Sequence, residues 1–295
     1  MIVVMEQFVI YLGLILFGLC LGSFAGASVW RLRARQLVQD KSNGEKVDKN
    51  EYKRLHKLSK NRLLNDHSRC LDCSYGLKWY DMIPLISWLS LGGKCRQCHR
   101  PIGYLEPLIE IGMAGFFVLS YALWPYSLDD NLGIARLILW LVAGVGLAIL
   151  FAYDKMWSLL PDSVNFAVIG IGAISALLVI VGSPDQIGTI LSIFGSVAIL
   201  SGLYWVLYMV SQGRWIGFGD IKLGLGLALL LADWRLAFIA LFAANFIGCL
   251  IVLPAMAMKK LKRNSHVPFG PLLIAGCVIA GLAGNYLISL YFYNL

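Results

Sequence analysis

The chain has 295 residues, of which 59% are hydrophobic and only 14% charged, with a mean hydropathy of +0.72. Those proportions exclude an ordinary soluble domain. The net charge of +8 does not point to nucleic acid, because no aromatic-interleaved or motif-defined binding module accompanies it. Topology control and attraction to anionic membrane lipid account for it instead.

About 20 apolar residues are needed to cross the hydrocarbon core. The sequence predicts spans over residues 8–30, 107–124, 133–153, 162–182, 188–210, 235–257 and 269–292. The first run is too long for a cleaved signal sequence and lacks a small-residue cleavage pattern, so it reads as a span. A further apolar stretch, 220–232, is short. At about 1.5 Å per residue it covers roughly 20 Å, so it spans only with help from its neighbours or enters partway. The expected fold is an all-α polytopic membrane protein of about eight transmembrane segments. It divides into residues 1–106, the first helix and a long basic loop, and residues 107–295, a membrane-embedded helical bundle.

Charge placement orients these segments. Residues 31–106 hold 16 Lys and Arg against 8 Asp and Glu, so this stretch carries the whole net charge. Lys259, Lys260, Lys262 and Arg263 form a second basic cluster, whereas Pro125–Asn131 and Ser183–Gln186 contain no Lys or Arg. The positive-inside rule places the basic loop, Lys155, Arg214 and the 259–263 cluster in the cytoplasm. An eight-pass count with the N-terminus outside satisfies all four placements. It also brings Asp154, at the end of the third segment, and Asp220, at the start of the sixth, to the same cytoplasmic side.

Four of the seven cysteines read Cys70-Leu-Asp-Cys73 and Cys95-Arg-Gln-Cys98, two C-x2-C knuckles with 21 residues between them. That spacing is close to the one expected of a four-thiolate zinc site. Each knuckle converges two sulfurs, and two knuckles complete a tetrahedron around Zn²⁺ with no open position for substrate water, hence a structural site. A redox dithiol pair is the competing reading, and His99 is a further possible ligand beside Cys98. A cytoplasmic loop argues against disulfides. Cys20, Cys249 and Cys277 lie singly in apolar runs and behave as small hydrophobes. Residues 36–69 are polar and charged with few large apolar groups; they read as a solvated, partly helical insertion without chemistry.

Ionisable groups at membrane depth cost roughly 2.5–3.5 kcal/mol each on insertion scales and are functional candidates by default. Asp162 follows Pro161 and precedes an apolar run, so helix capping explains it. Capping also suits Asp220, but a cap does not require Gly217 and Gly219, which allow tight backbone approach. Asp154 ends a helix, where the dipole disfavours a carboxylate; no bland reading explains that placement. If Asp154 and Asp220 meet, the pair shares one proton at neutral pH. Such a dyad activates water as base and protonates the carbonyl oxygen and leaving amine as acid. The four histidines, His56, His67, His99 and His266, are scattered, and no nucleophile triad is visible. Glu110, inside the second span, is either a functional interior carboxyl or an ordinary hydrogen-bonded one.

An ordered set of motifs resembles the type IV prepilin peptidases, membrane aspartic proteases of the GxGD class. It comprises Gly22-Ser23-Phe24 with Arg31-Leu32, the paired knuckles, Ile83-Pro84-Leu85-Ile86-Ser87-Trp88 with Gly93-Lys94, and Pro107-Leu108-Ile109-Glu110. It continues with Asp154 and Leu160-Pro161-Asp162, Gly217-Phe218-Gly219-Asp220 with Lys222, and Pro268-Phe269-Gly270-Pro271. The resemblance implies a multi-pass enzyme of the bacterial inner membrane with Asp154 and Asp220 catalytic and Gly217, Gly219 and Asp162 supporting. It implies cleavage of the basic leader from prepilins or pseudopilins at the cytoplasmic face, and in many members methylation of the new N-terminus with S-adenosylmethionine. The chain departs from the family pattern at Gly26, commonly Asn, and at Leu105-Glu106-Pro107, commonly Arg-Tyr-Pro. Both departures lie in the half linked to methyl transfer. Presenilin-like and signal-peptide-peptidase-like proteases lack the cysteine quartet. A non-enzymatic zinc-ribbon component of a secretion or pilus machine is the alternative, and it gives no reason for both carboxylates to share one side.

Overall fold

The computed structural model describes residues 2–59, 68–260 and 267–293. Lys262 and Arg263 of the second basic cluster, together with His67 and His266, lie outside the described residues. Among those described, the fold is helical, with two isolated β-bridges and no strand. The chain divides into two compact units, residues 1–118 and 119–295. The division falls inside the second long helix, twelve residues beyond the boundary at 106 read from composition.

In the first unit, α1 (Ile2–Ser42) runs well past the apolar stretch. It is followed by the short α2 (Lys49–Leu55), the one-turn α3 (Ile86–Ser90) and the start of α4 (Leu105–Ala122). Glycines on one face of α1 let α4 approach closely. A Cβ on Gly18 would lie 2.7 Å from the Ala114 Cα, and one on Gly22 2.6 Å from the Glu110 Cα. Helix association in lipid depends on such small-residue contact. Residues 36–59 are more ordered than their polarity suggests. Ala34, Leu37 and Leu55 are fully buried beneath Trp30, Val47, Tyr52, Leu58 and Leu71, and Arg33 on α1 pairs with Glu51 on α2 at 2.7 Å. The few apolar residues of this stretch fall on one face, and composition alone does not reveal that.

The second unit holds α5 (Asn131–Trp157), α6 (Asp162–Gly182), α7 (Gln186–Val197), α8 (Leu203–Ser211), α9 (Phe218–Leu231), α10 (Trp234–Ala257) and α11 (Gly270–Tyr293). A wide π turn at Ala198–Gly202 joins α7 to α8 in one rod. Among the described residues, seven helices are long and apolar enough to cross a membrane: Met5–Ser42, Leu105–Ala122, Asn131–Trp157, Asp162–Gly182, Gln186–Ser211, Trp234–Ala257 and Gly270–Leu290. The short stretch at 220–232 forms α9, whose 14 residues extend about 21 Å. Neighbours enclose it: Leu223, Leu227 and Ala228 are essentially inaccessible.

Three devices fix α9. Ser201 Oγ donates to the Ile221 carbonyl at 3.0 Å and Ser196 Oγ to the Ala228 carbonyl at 2.9 Å. Gly224 lies directly against the Leu200 carbonyl, and a Cβ on Gly172 of α6 would stand 2.9 Å from the Gly226 carbonyl. The π turn supplies both Leu200 and Ser201, so the wide turn and the glycines of α9 are complementary. Such turns are frequent at functional sites.

Candidate functional site

Asp154 lies in the last turn of α5 and is only 5% exposed. The N-terminus of α11 compensates for the unfavourable dipole of its own helix. The Gly270 N–H, one of the orphan donors of α11, donates to Asp154 Oδ2 at 3.0 Å. A Cβ at Gly270 would lie 2.7 Å from that same oxygen, so any other residue there must push the carboxylate aside.

Asp220 occupies the third position of α9 and accepts the Gly217 N–H on Oδ2 at 3.2 Å. The capping reading therefore holds for Asp220, and it coexists with a second role, since Asp220 lies close enough to Asp154 for their charges to interact. Gly219 allows α9 to start against the loop after α5; a Cβ there would meet the Leu160 Cβ at 3.0 Å. Asp162 is not a cap, since Pro161 holds that position. Its carboxylate instead accepts from Lys222 Nζ at 2.7 Å, tying the first turn of α6 to α9.

Tyr204 and Gly270 complete the surroundings; the sequence does not single out Tyr204, and Gly270 enters there only within a motif, without a role. Tyr204, at the start of α8, is 4% exposed, and its hydroxyl has no hydrogen-bond partner among the described residues. Its ring packs on Phe269 at 5.5 Å, and the Asp220 charge acts on it. A phenol inside an apolar span was the available signal for Tyr204. For Gly270 it was the Pro268-Phe269-Gly270-Pro271 stretch.

In the first unit, the Sγ atoms of Cys70, Cys73, Cys95 and Cys98 all lie within 4.8 Å of one another. Cys70–Cys98 and Cys73–Cys95 are each separated by 3.9 Å. A tetrahedron with zinc–sulfur bonds of about 2.3 Å has edges of about 3.8 Å, so the quartet matches such an ion and is far too open for disulfides. The two knuckles are built alike. The Cys70 N–H donates to the Tyr75 carbonyl and the Cys95 N–H to the Arg100 carbonyl, both at 2.9 Å. Ser74 and His99 occupy the corresponding left-handed positions, at φ 62° and 55°, and bridges Arg69–Gly76 and Lys94–Pro101 close both loops. His99 is thus a turn residue outside the sulfur cluster.

Burial pushes the Cys70 thiol up to about 12. At Cys95 burial also works upward, but the Cys98 and Gln97 N–H groups and the neighbouring thiols outweigh it and bring that thiol down to about 7. A divalent cation would take all four as thiolates. Arg96–Asp81 at 2.8 Å and Arg54–Asp72 at 3.0 Å brace the knuckles.

Glu110 is an internally bonded carboxyl. It is 6% exposed and accepts the Leu85 N–H at 2.8 Å. Leu85 has φ 57°, unusual for a branched residue, and Glu110 holds it there. One turn earlier, Glu106 accepts the Trp30 indole N–H at 2.9 Å on Oε1, while its buried Oε2 has no hydrogen-bond partner. The two departures from the family pattern are neighbours: a Cβ on Gly26 would stand 3.8 Å from the Glu106 Cγ.

The chain is similar to known proteins. The profile of the Bacterial Peptidase A24 N-terminal domain matches residues 16–124. A prepilin leader peptidase/N-methyltransferase of Pseudomonas aeruginosa is 27% identical over 94% of this chain and 91% of its own. One of Stutzerimonas stutzeri is 28% identical over 76% of this chain and 74% of its own. A type 4 prepilin-like proteins leader peptide-processing enzyme of Escherichia coli O78:H11 is 30% identical over 93% of each chain. No solved structure matches the chain. Similarity of this extent, running through both units, makes the chain a member of the prepilin leader peptide-processing family.

Proposed function

We propose that this protein is a membrane aspartic endopeptidase that removes the leader peptide from prepilin-like precursors and methylates the N-terminus so exposed. What supports the proposal is that the charge of Asp220, on helix α9, acts on Asp154, on helix α5, in a chain whose relatives are named for both activities. One carboxylate takes a proton from water, whose oxygen attacks the scissile carbonyl carbon. The other, protonated, gives its proton to the carbonyl oxygen. Collapse of the tetrahedral species breaks the C–N bond; the proton held by the base passes to the departing amine, and one hydroxyl of the tetrahedral species returns its proton to the other carboxylate, which restores the pair. The Gly270 N–H fixes one carboxylate, the Gly217 N–H the other, and Asp162–Lys222 holds α9 against α6. Tyr204, within reach of the Asp220 charge, offers a hydroxyl that donates to the substrate oxygen as negative charge develops. Gly217 and Gly219 serve by admitting close contact and do not react.

Charge placement supports an active face on the cytoplasmic side of a bacterial inner membrane. The cysteine quartet fits Zn²⁺, with Cys70, Cys73, Cys95 and Cys98 as ligands. That ion would organise residues 68–101 and has no part in bond cleavage. S-adenosylmethionine, when bound, supplies the methyl group. The division of labour follows the two units, with proteolysis in residues 119–295 and the metal in residues 1–118.

Co-expression with a pilin-type precursor, followed by mass spectrometry, tests both activities together. The reading requires leader loss and the gain of one methyl group at the new N-terminus. An unprocessed precursor in the presence of folded enzyme refutes it.

A further inference from the structure

We infer that residues 79–91, between the two cysteine knuckles, rest in the membrane surface beside α4, with Ile86 and Leu89 among the acyl chains of the lipid. The inference needs α4 to cross the membrane and is independent of the reaction proposed above. Its first sign is in the sequence. The stretch Met82–Gly93 carries no charged side chain, although it lies within the most heavily charged part of the chain. An apolar run of about 10–14 residues is either a buried core element or a segment lying in the membrane interface. Exposure decides between the two. Ile86 and Leu89, three residues apart on α3, are 64% and 67% exposed. Trp79 and Met82, also three apart, are exposed on the preceding single turn of 3-10 helix. Each turn thus presents an apolar pair outward, and clustered exposed apolar groups mark an interaction surface.

The level of this face along α4 identifies what covers it. α4 has 18 residues, about 27 Å of helix against a hydrocarbon core of about 30 Å. A helix this short crosses only with its whole length immersed, so Glu110, more than one turn inside it, lies below the membrane surface. The Leu85 N–H donates to Glu110 Oε2 at 2.8 Å, which brings the start of α3 to that depth. The Trp88 indole N–H donates to the Gly103 carbonyl at 2.8 Å and its ring packs on Tyr104 at 5.4 Å, holding α3 to the turn before α4. Lipid already reaches this level, because Leu108 and Ile111 are exposed on α4 within two residues of Glu110.

Backbone and flanking charge both suit a place in lipid. The Ser87, Leu89, Leu91 and Gly93 N–H groups all donate to carbonyls of this same segment, at 2.8–3.1 Å. With Leu85 held by Glu110, the segment brings few unpaired donors into a medium that does not tolerate them. Lys78 and Lys94 are exposed at its two ends. Their long stems let the ammonium groups reach the headgroup phosphates while apolar neighbours sink further.

A genetically encoded, environment-sensitive fluorescent residue in place of Ile86 or Leu89 tests this in the full-length protein. The protein is reconstituted in vesicles of phosphatidylethanolamine and phosphatidylglycerol, with acyl chains either plain or brominated; brominated chains quench a fluorophore that touches them. Position 108 on α4 is the lipid-facing reference, and position 43, past the end of α1, the aqueous one. Bromination lowers emission at 86 and at 89 by at least half as much as at 108, and leaves position 43 unchanged. Either folded variant whose emission ignores bromination overturns the inference. Emission that instead changes with protein density in the vesicles assigns the face to a second copy, and emission matching position 43 at every density assigns it to water. Elution volume checks folding, and position 89 lies clear of the strained Leu85, so the label there keeps the test decisive if the one at 86 misfolds.

Discussion

The Gly270 N–H and Asp154 Oδ2 meet at 3.0 Å across 116 residues of sequence. That bond joins the C-terminal turn of α5 to the N-terminal turn of α11, so Asp154 is stabilised by a helix other than its own. A Cβ on Gly270 would stand 2.7 Å from the carboxylate oxygen, so a methyl group enters only by pushing the carboxylate aside. Gly270→Ala therefore displaces Asp154 and lowers the cleavage rate by on the order of a hundredfold, the usual penalty for an ångström of misplacement. Its measurement is initial-rate cleavage of a precursor in detergent, with elution volume as the check on folding. A rate within twofold of the unaltered enzyme contradicts the role given to Gly270.

Tyr204 offers a cleaner perturbation. Its hydroxyl has no partner, so Tyr204→Phe removes a buried group that contributes nothing to the resting fold. Thermal stability stays level or rises slightly, while kcat falls about tenfold or more with KM nearly unchanged, because the hydroxyl acts as charge develops. Loss of stability with kcat intact assigns Tyr204 to packing alone.

The Asp162–Lys222 pair is short but partly in contact with solvent, with 59% of the Asp162 side chain exposed. Pairs of this kind contribute about 0.2–1 kcal/mol. Asp162→Ala and Lys222→Ala each reduce cleavage less than tenfold, and a double-mutant cycle returns a coupling energy in that range. A loss as deep as that of the carboxylate variants places Asp162 in the reacting set instead.

Metal removal separates the two units. Elemental analysis of the purified protein is expected to return one zinc per chain. Chelation, or Cys→Ser at position 70, 73, 95 or 98, unfolds residues 68–101, read as new proteolytic sensitivity there, while precursor cleavage is partly retained. Acidification releases the ion, because protons compete for the thiolates. A metal-free protein with the same protease resistance contradicts the structural assignment.

The apolar runs, the cysteine spacing and the charge asymmetry made the helical architecture and the sulfur quartet legible in the sequence, because each is encoded locally. Asp154 stood out for a physical reason, a carboxylate at the wrong end of a helix, but its remedy lay 116 residues away and was not readable. Tyr204 looks like one aromatic among many until the fold packs it on Phe269 within reach of the Asp220 charge. Glu110 attracted notice as an isolated charge in a span, yet it is the satisfied carboxyl, and Glu106 at the span's edge carries the unpartnered oxygen. Capping was the simplest explanation for Asp162; Pro161 takes that position and frees Asp162 for Lys222. Hydrogen-bond satisfaction is a property of the folded neighbourhood, so such assignments require coordinates.

Everything proposed for the second unit depends on the two carboxylates acting as one proton-sharing unit. Single replacement of each, Asp154→Asn and Asp220→Asn, followed by precursor cleavage assayed with purified, folded protein, tests this most directly. The account predicts that either change alone abolishes processing, with each variant still eluting as the unaltered enzyme does. Substantial processing by both variants would contradict it.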